Sequence, residues 1–506
     1  MAAWLAGPAW SLRGYLAIAL LLRLPAVWFA DGYDFVDQQY QYVDPAWHLA
    51  TGQAWHVPWE WIDRVRGEAY PWLLAGLFRV VGCFGIDEPI AMLRGVRGLL
   101  AVFSLLPVSL FWLVVRRWRP MAAPRLPLLL FAGSGLLISG VQPNAPAMGA
   151  LLATTAALAL VGPSRFVGLA GLCLGLAFCC RFQDALFGPG MLAVLLWQRR
   201  WRDALLFAAA CAPGIGLQGA LDLAAGDTFL GTAWRYVSTN LGGAAEKWRT
   251  QPFWFYLLAG VVPVAALVPS CLRVAWSRLV AGAGTLPAAA ASAAVHLIVH
   301  SCVARKALRF EMGAFAMLLA VVAVGLSRTG PRSGWHTRLL VVVHVALFAG
   351  YSFWFGNAGA VRMATWLHEQ PSFDGRVVVV DGDATALGGF FHLRPPRDAV
   401  VGMARNELAA KTAGLQAPFL VAVRSPLADA EAGALGYEWV ATFYGRLDLR
   451  EGERRFVYRR KARRGFRRAC RVTCRLPSAR PSCPRPSPAP PSSSVRRPRR
   501  CNAWCC

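Results

Sequence analysis

Long apolar segments alternate with short polar connections along the first 357 residues of the chain. The first segment runs from Tyr15 to Ala30, and later ones are predicted at 97–115, 124–141, 146–162, 166–180, 185–198, 204–222, 252–270, 279–301, 309–327 and 338–355. A helix needs roughly 20 residues to cross about 30 Å of hydrocarbon, and several of these segments approach that length. The pattern predicts an all-α polytopic membrane protein with about 11 transmembrane helices.

Basic residues in the short connections indicate how these helices are oriented. Arg13 precedes the first segment, and the arginines at 116–125 and 199–202 fall on the same side as Arg13 if there are eleven crossings. Cytosolic loops carry an excess of Lys and Arg. The N-terminus is therefore predicted to be cytosolic, and the loop after the first helix non-cytosolic. In that loop, Trp72–Phe84 is short for a crossing and is predicted to be an interfacial or re-entrant helix.

The stretch from Tyr33 to Pro71 interrupts the apolar pattern with acids, amides and aromatic side chains. The chain has only 27 Asp plus Glu, yet this stretch holds Asp34, Asp37, Asp44, Glu60, Asp63 and Glu68. Acids and amides bind hydroxyl groups, and aromatic rings cover the apolar face of a sugar. A carboxylate at the membrane surface can also act as a general base toward a hydroxyl group. We therefore favour a functional loop over the alternative of solvated loop charges.

The pattern changes again in the last third of the chain. A run of valines after Gly375 predicts a buried strand, and the segments EWVATFYG and RRFVYRR predict later strands. We predict a transmembrane domain at 1–357, with a first non-cytosolic loop at about 31–96, and a small non-cytosolic α/β domain at 358–459. Residues 460–506 are rich in Arg, Pro, Ser and Cys without periodicity, which predicts a disordered basic tail.

The formal net charge of +26 raises the question of nucleic-acid binding. From Arg460 onward there are 13 Arg and 1 Lys and no acid, so +14 of this charge lies in the predicted tail. Most of the remainder lies in short loops between apolar segments, which is typical of a membrane protein. We therefore predict membrane lipid as a partner and no nucleic acid.

Sequence motifs for metals, nucleotides and disulfide frameworks are missing from the chain. The 8 His residues form no H-E-x-x-H pattern, and the 13 Cys residues show neither zinc spacing nor a disulfide framework. The Gly-Gly pairs are not followed by the Lys-Ser or Lys-Thr of a phosphate loop. We expect no metal site, no cofactor and no nucleotide-sugar donor.

Residues of the first loop follow one another in a characteristic order. They are Asp37, Tyr40, Gln41, Asp44-Pro45, Gly52, Trp59-Glu60-Trp61, Arg64 or Arg66, and Tyr70-Pro71. This order resembles the first luminal loop of the glycosyltransferase family 22 mannosyltransferases, except that Gln38 and Asp44 stand where the family has Glu. Further similar positions follow in the family's order: Asp227, Gly231, Trp234, Asn240, the segment 251–256, and Lys306, Arg309 and Phe310.

The resemblance implies an integral membrane mannosyltransferase, or hexosyltransferase, with the GT-C architecture. It implies transfer of a sugar with inversion from a polyprenyl-phosphate donor to a glycan or glycolipid acceptor on the non-cytosolic face. Asp37 is the expected catalytic base, and Asp44 is the second candidate for that role. Lys306 and Arg309 are expected to stabilise the charge of the leaving phosphate. The other expected substrate-binding residues are Gln38, Gln41, Trp59, Glu60, Trp61, and Arg64 and Arg66 as alternative phosphate ligands.

A polytopic transporter or lipid flippase is the alternative interpretation. Arg181 lies at the outer end of a predicted span, and Asp184 is its expected ion-pair partner. The sequence shows no internal repeat or paired interrupted helices, which transporters often have, and this alternative leaves the acidic loop unexplained. The bias toward Ala, Gly and Arg indicates a GC-rich genome and favours a bacterial plasma (inner) membrane, with the endoplasmic reticulum membrane as the alternative.

Overall fold

A computed structural model describes most of the chain up to Lys461. The described residues are 10–33, 35–53, 55–118, 125–161, 164–241, 250–258, 286–329, 335–353, 356–382, 384–394, 400–408, 417–423, 425–444 and 454–461. Helices form most of the described chain up to Glu369, and a β-sheet with short helices follows. Of the tail predicted to be disordered at 460–506, Arg460 and Lys461 are described, and Arg460 belongs to a strand. The rest of the tail lies outside the described residues, so that prediction is untested there.

The N-terminal apolar segment and the first loop form a series of helices. They are α1 (Leu12–Leu21), α2 (Leu24–Phe29), a π-helix (Gln38–Val43), α3 (Asp44–Thr51), α4 (Trp59–Ile62), α5 (Ala69–Gly82), α6 (Pro89–Phe103) and α7 (Leu105–Trp118). The helix predicted within the loop is therefore present as α5. Helix α6 begins at Pro89, where the Glu88 carboxylate accepts hydrogen bonds from the backbone N–H groups of Ile90 and Ala91. The loop boundary at about residue 96 remains a prediction, because the start of a helix does not mark where the chain enters the membrane.

The middle of the chain continues as a helical bundle. Its helices are α8 (Arg125–Ala132), α9 (Gly135–Ile138), α10 (Ala145–Ala159), α11 (Val167–Cys180), α12 (Phe187–Trp197), α13 (Trp201–Ala224) and α14 (Gly231–Leu241). A single helix at 124–141 was the prediction, but Ser134 caps the start of α9 and divides the segment. The divided segment continues as a 3₁₀-helix at Ser139–Val141.

Four further helices complete the described helical part. They are α15 (Leu286–Cys302), α16 (Met312–Thr329), α17 (Trp335–Phe353) and α18 (Ala358–Glu369). A short 3₁₀-helix, Leu308–Glu311, connects α15 to α16. The span predicted at 252–270 falls mostly outside the described residues.

Among the described residues, four helical stretches are long and apolar enough to cross a membrane. They are Leu12–Phe29, Pro89–Arg117, Trp201–Ala224 and Arg338–Glu369. Several of the other predicted spans coincide with apolar helices of 10–17 residues, such as α10, α11 and α12. The chain is thus a predominantly helical membrane protein, while the number of eleven crossings remains a prediction.

Close backbone contact holds the centre of the bundle together. Helix α11 packs against both α10 and α13. A methyl group added at Gly214 of α13 would lie 2.2 Å from the backbone carbon of Gly175 in α11. Small residues at such crossings let helix backbones approach closely in a membrane, where packing rather than hydrophobic burial drives association.

The C-terminal part contains a five-stranded mixed sheet in the order β2-β1-β3-β5-β4. Its strands are β1 (Val377–Val380), β2 (Val400–Met403), β3 (Phe419–Val423), β4 (Tyr437–Phe443) and β5 (Arg455–Arg460), with the short helices α19 (Phe390–Leu393) and α20 (Asp429–Ala434). Strands β2, β1 and β3 are parallel, whereas β5 is antiparallel to β3 and β4. The strands predicted from the valine run and from the segments EWVATFYG and RRFVYRR are β1, β4 and β5.

Candidate active site

An ion pair between Asp37 and Arg309 connects the first loop to the turn before α16. Nη2 of Arg309 lies 2.8 Å from Oδ2 of Asp37, although 272 positions separate the two residues. Both side chains are about one-quarter exposed, at 28% for Asp37 and 23% for Arg309. The structure therefore brings together the predicted base and one of the two predicted phosphate ligands, at a position that solvent reaches.

Aromatic rings and a second arginine surround the Arg309 guanidinium. Its central carbon lies 4.2 Å from the ring centre of Phe35 and 5.5 Å from that of Phe310. Arg181 donates a hydrogen bond to the backbone carbonyl of Arg309 at 3.3 Å, and its guanidinium lies 5.2 Å from the Phe310 ring centre. Stacking on aromatic faces limits the directions in which an arginine can point. Arg309 is thus held beside Asp37.

A cleft next to this ion pair is lined by both polar and aromatic side chains. The lining residues are Tyr42, Val65, Arg66, Gly67, Cys180, Arg181, Phe182, Gln183 and Tyr236. Nε of Arg66 is buried and makes no hydrogen bond to any described residue, while its guanidinium lies 5.7 Å from the Tyr236 ring centre. The cleft therefore presents two arginines that an anion can bind.

The charges around Tyr42 show how closely these groups cluster. Burial raises the pKa of the Tyr42 hydroxyl, and the negative charge of Asp37 raises it further. The positive charges of Arg66, Arg181 and Arg309 act in the opposite direction and lower it. Burial, followed by the charge of Arg309, likewise lowers the pKa of Arg305. The Asp37 carboxylate therefore lies close to several arginines, and the positive side chains of this site outnumber the negative ones.

Asp44 lies in a different environment from Asp37, because it is fully buried. Its carboxylate accepts hydrogen bonds from the backbone N–H groups of Phe390 at 2.9 Å and Phe391 at 3.0 Å, and from Nε2 of Gln39 at 2.7 Å. Burial raises the pKa of Asp44 to about 6, and these hydrogen bonds oppose the rise. The structure thus separates the two acids that the sequence places seven positions apart.

The other predicted residues of the first loop differ in their environments, and two of them form a buried hydrogen-bonded pair. Nε2 of Gln41 donates to Glu60 at 2.7 Å, and Nε2 of Gln38 lies 3.4 Å from the amide oxygen of Gln142. Burial raises the pKa of Glu60. Trp59 is 41% exposed, whereas the indole N–H of Trp61 is buried and has no hydrogen-bond partner among the described residues. Gln41 and Glu60 are positioned together, while Gln38 points toward another element.

The remaining predicted phosphate ligands differ in where they lie. Lys306 is only 8% exposed, and its ammonium donates to the backbone carbonyls of Gln251 at 3.0 Å and Val303 at 2.5 Å. Arg64 is exposed and has a left-handed backbone with φ of 50°. Its carbonyl accepts a hydrogen bond from Arg235 of α14. The geometry therefore favours Arg66 over Arg64 as a residue of the cleft, and Arg309 over Lys306 as the cation beside Asp37.

Several contributing residues were not found from the sequence. Tyr236 and Gln183, which are joined by a hydrogen bond, line the cleft from α14 and from the 3₁₀-helix at Phe182–Leu186. The expected ion pair between Arg181 and Asp184 is replaced by the contact of Arg181 with the Arg309 carbonyl. A cluster of His296, His300 and Glu311 was also missed, although the spacing of the two histidines places them on one helix face.

Comparison with known proteins finds relatives in two groups of transferases. The chain is 29% identical over 90 residues to GPI mannosyltransferase 3 of Drosophila melanogaster, covering 17% of this chain and 16% of that protein. It is 31% identical over 212 residues to the undecaprenyl phosphate-alpha-4-amino-4-deoxy-L-arabinose arabinosyl transferase of Enterobacter sp. (strain 638), covering 37% of each chain. The aligned parts thus span well under half of these relatives.

The whole fold is similar to that of a solved structure, ArnT from Cupriavidus metallidurans bound to undecaprenyl phosphate. The two folds superimpose with a TM-score of 0.58 at 13% identity, over 88% of this chain and 97% of that one. This is a predominantly helical GT-C membrane fold. The model of the Alg9-like mannosyltransferase family matches residues 15–369, which include the first loop, the cleft and the Asp37–Arg309 pair. The chain belongs to the Alg9-like mannosyltransferase family.

Proposed function

We propose that the chain is a membrane hexosyltransferase, and specifically a mannosyltransferase, that uses a polyprenyl-phosphate sugar as donor. The observation that carries this proposal is the partly exposed Asp37 carboxylate, held 2.8 Å from Arg309 beside a cleft that contains Arg66 and Arg181. A lipid phosphate needs cations, and an acceptor hydroxyl needs a base. The cleft offers both types of group next to one another.

The proposed reaction is a single displacement at the anomeric carbon. Asp37 takes the proton of the acceptor hydroxyl, whose oxygen forms a bond to the anomeric carbon from the face opposite the phosphate. The bond between that carbon and the phosphate oxygen breaks, and the polyprenyl phosphate leaves with its electron pair. Arginines around the leaving group stabilise the negative charge as it develops. A single displacement inverts the configuration of the sugar.

Arg309 has a second role in this proposal. An ion pair that is partly open to solvent contributes only about 0.2–1 kcal/mol, so Arg309 can exchange Asp37 for the donor phosphate at small cost. When the phosphate binds Arg309, the Asp37 carboxylate gives up its ion-pair partner and can accept the hydrogen bond of the acceptor hydroxyl. Binding of the donor thereby frees the base that the acceptor needs.

The donor lipid and the compartment are also proposals. The relative that aligns over the greater length is bacterial and is named for undecaprenyl phosphate, which supports a polyprenyl donor and a bacterial plasma membrane. The insect relative is a GPI mannosyltransferase, which supports mannose as the sugar and leaves the endoplasmic reticulum membrane as the alternative compartment. A glycan or glycolipid on the non-cytosolic face is the proposed acceptor.

An Asp37→Asn substitution tests the assignment of the base. Asn keeps the size of the side chain but cannot accept a proton, so transfer of radiolabelled mannose from polyprenyl-phosphate-mannose to membrane acceptors is expected to fall by about 100- to 10,000-fold. Asp63→Asn is the matched control, because Asp63 is an exposed acid of the same loop. The control is expected to retain wild-type transfer.

Two outcomes of this experiment would count against the proposal. Wild-type transfer by folded Asp37→Asn protein would exclude Asp37 as the base. Uptake of the labelled lipid into vesicles without any transfer would instead support the transporter alternative. A parallel reaction with a polyprenyl-phosphate aminoarabinose donor separates the two sugar classes, and faster transfer of mannose is the expected result.

A further inference from the structure

Three buried polar side chains, His296, His300 and Glu311, form a group next to the turn that carries Arg309. His296 and His300 are one helical turn apart on α15, and Glu311 ends the 3₁₀-helix at Leu308–Glu311. Nδ1 of His296 lies 2.7 Å from Oε2 of Glu311, and Nδ1 of His300 lies 2.7 Å from Oε1. The side chains of His296 and Glu311 are fully buried, and that of His300 is 10% exposed.

Several polar atoms of this group and of the residues Asp184 and Ser292 lack a hydrogen bond within the described part of the chain. They are Nε2 of His296, Oε1 of Glu311, Oδ2 of Asp184 and Oγ of Ser292. The contact between His300 and Oε1 of Glu311 is therefore short but not directed as a hydrogen bond. Buried polar atoms are nearly always satisfied, and a cluster of exceptions indicates a bound water or ion.

We propose that His296, His300 and Glu311 bind a zinc ion. One ligand atom of each residue lies within 4.8 Å of the others, which is compatible with zinc–ligand bonds of about 2.0–2.2 Å after small side-chain shifts. Two imidazoles and one carboxylate are a ligand set that zinc prefers, whereas magnesium and calcium prefer oxygen ligands. The sequence-based expectation of no metal site is at odds with this cluster.

Charge balance supports a divalent cation at this place. Glu311 and Asp184 are both buried, and the carboxylate of Asp184 lies 4.0 Å from Nε2 of His296. Two buried carboxylates are costly unless cations pair with them. A zinc ion at this place compensates the Glu311 carboxylate directly, and Arg181 is a further cation near Asp184.

Zinc binding also accounts for the position of Asp184. Zinc binds a ring nitrogen through its lone pair, so a histidine that binds zinc through Nδ1 carries its proton on Nε2. A metal-bound histidine commonly donates its other N–H to a carboxylate, and a carboxylate oxygen of Asp184 lies 4.0 Å from Nε2 of His296.

The site ties α15 to the turn that carries Arg309, because Glu311 is only two residues beyond Arg309. We therefore infer that the zinc ion positions Arg309 toward Asp37, so that His296, His300 and Glu311 are positioning residues. This second step rests on the proposed function, whereas metal binding itself does not.

Metal analysis of the full-length protein tests the site directly. Wild-type protein purified in detergent without chelators is expected to contain about one zinc ion per chain. His300→Ala and Glu311→Gln are each expected to lower zinc affinity by about 10- to 100-fold. His344→Ala is the matched control, because His344 lies on α17 and contacts the carbonyl of Leu340 instead. Its zinc content is expected to equal that of the wild type.

A second measurement covers the case in which the variants fold poorly. Wild-type protein is stripped with a chelator and then given zinc, and its thermal unfolding midpoint is expected to fall and then recover. The proposal would be overturned if the wild type contained no more zinc than His300→Ala and if its thermal unfolding midpoint did not change when zinc was added. Zinc binding without sugar transfer would leave the site intact and remove the proposed function.

The positioning role has its own readout in the transfer reaction. Removal of zinc should raise the KM for the polyprenyl-phosphate donor more than it lowers kcat, because Arg309 is expected to bind the phosphate of the donor before the reaction. Addition of zinc should restore the KM. An unchanged KM in zinc-free protein would show that the metal does not position Arg309.

Discussion

Asp37 and Asp44 show how environment separates two acids of one short loop. Asp37 is partly exposed and paired with Arg309, whereas Asp44 is fully buried and accepts hydrogen bonds from the backbone of α19. A base must reach the acceptor hydroxyl, and of these two acids only Asp37 has a side chain that solvent reaches. We therefore propose that Asp44 connects the loop to the C-terminal part and takes no direct part in proton transfer.

The buried Asp44 predicts a specific pH dependence of stability. Burial raises its pKa from 3.8 to about 6 in the folded chain, which therefore keeps a proton that the unfolded chain loses. The free energy of unfolding should thus fall by up to about 3 kcal/mol as the pH rises from 4 to 6, and should then level off. Thermal unfolding of the wild type and of Asp44→Asn at pH 4.5 and 7 measures this.

The variant is expected to gain stability relative to the wild type as the pH rises, because Asn does not titrate. Asp63→Asn serves as the control, since Asp63 is exposed, and its difference from the wild type should not depend on pH in the same way. A constant difference between Asp44→Asn and the wild type would contradict the raised pKa.

Individual site residues could be predicted only where local sequence order carries the information. Asp37 and Arg309 lie in stretches whose residue order resembles a known family, so both could be named. Two of the three partners of Asp44 are the backbone N–H groups of Phe390 and Phe391, which any residue type could provide at those positions. The histidine pair could not be recognised as a cluster from the sequence, because its third member, Glu311, lies on another element.

At the scale of elements, the turn before α19 depends on two glycines. Gly388 and Gly389 have φ angles of 80° and 103°, which side chains strongly disfavour. A methyl group at Gly389 would also lie 2.3 Å from Nε2 of Gln39, the side chain that donates to Asp44. The turn thus needs glycine both for its backbone and for its contact with the π-helix.

A Gly389→Ala substitution is therefore expected to destabilise the protein by about 1–3 kcal/mol. The substitution strains the backbone and pushes Gln39 away from Asp44. Gly76→Ala in α5 is the matched control, because no atom lies within 4 Å of the added methyl group and the position is helical. Thermal unfolding in detergent measures both, and equal midpoints for the two variants would contradict the role of this turn.

Helix positions could largely be read from apolar periodicity, but interruptions could not. The break at Gly133–Ser134 is made by a local cap, in which the Ser134 side chain accepts a hydrogen bond from the Leu137 N–H, whereas the π-helix at Gln38–Val43 depends on tertiary contacts. In the π-helix, all six side chains are buried, so tertiary packing fixes their direction. Local propensity does not predict such an arrangement, because its stability comes from the surrounding side chains.

At the scale of the whole molecule, the Asp37–Arg309 pair requires the first loop and the turn after α15 to lie on one face. Cys83 ends α5 and Cys302 ends α15, and both are exposed. If this face is non-cytosolic, a membrane-impermeant maleimide should label each of them in intact cells. Single-cysteine proteins are needed, with buried Cys173 as the control that remains unlabelled.

Different outcomes of this labelling separate different errors. Labelling of Cys83 and Cys302 only after the membrane is opened would reverse the predicted orientation. Labelling of Cys302 alone in intact cells would show that α5 crosses the membrane, contrary to the prediction of an interfacial or re-entrant helix. Labelling of both supports the proposed location of the site on the outer face.

The general architecture could be predicted from the sequence because hydrophobicity and charge are distributed along the chain. The apolar segments indicated a helical membrane protein, and the valine run indicated the start of the sheet. The way in which the C-terminal part meets the first loop could not be predicted. Contacts such as the hydrogen bond from Tyr40 to the Thr385 carbonyl join residues 345 positions apart. A single sequence taken alone does not reveal which distant residues meet.

The hydrogen bonds between Asp44 and the backbone of α19 also impose an order in time. Asp44 precedes its partner Phe390 by 346 positions, and a ribosome that adds about 5–20 residues per second needs roughly 20–70 seconds to make that stretch. During this interval the first loop has no C-terminal partner. In a chain that is still being synthesised, the first loop therefore stays exposed or is bound by other molecules until the residues around Phe390 have been made.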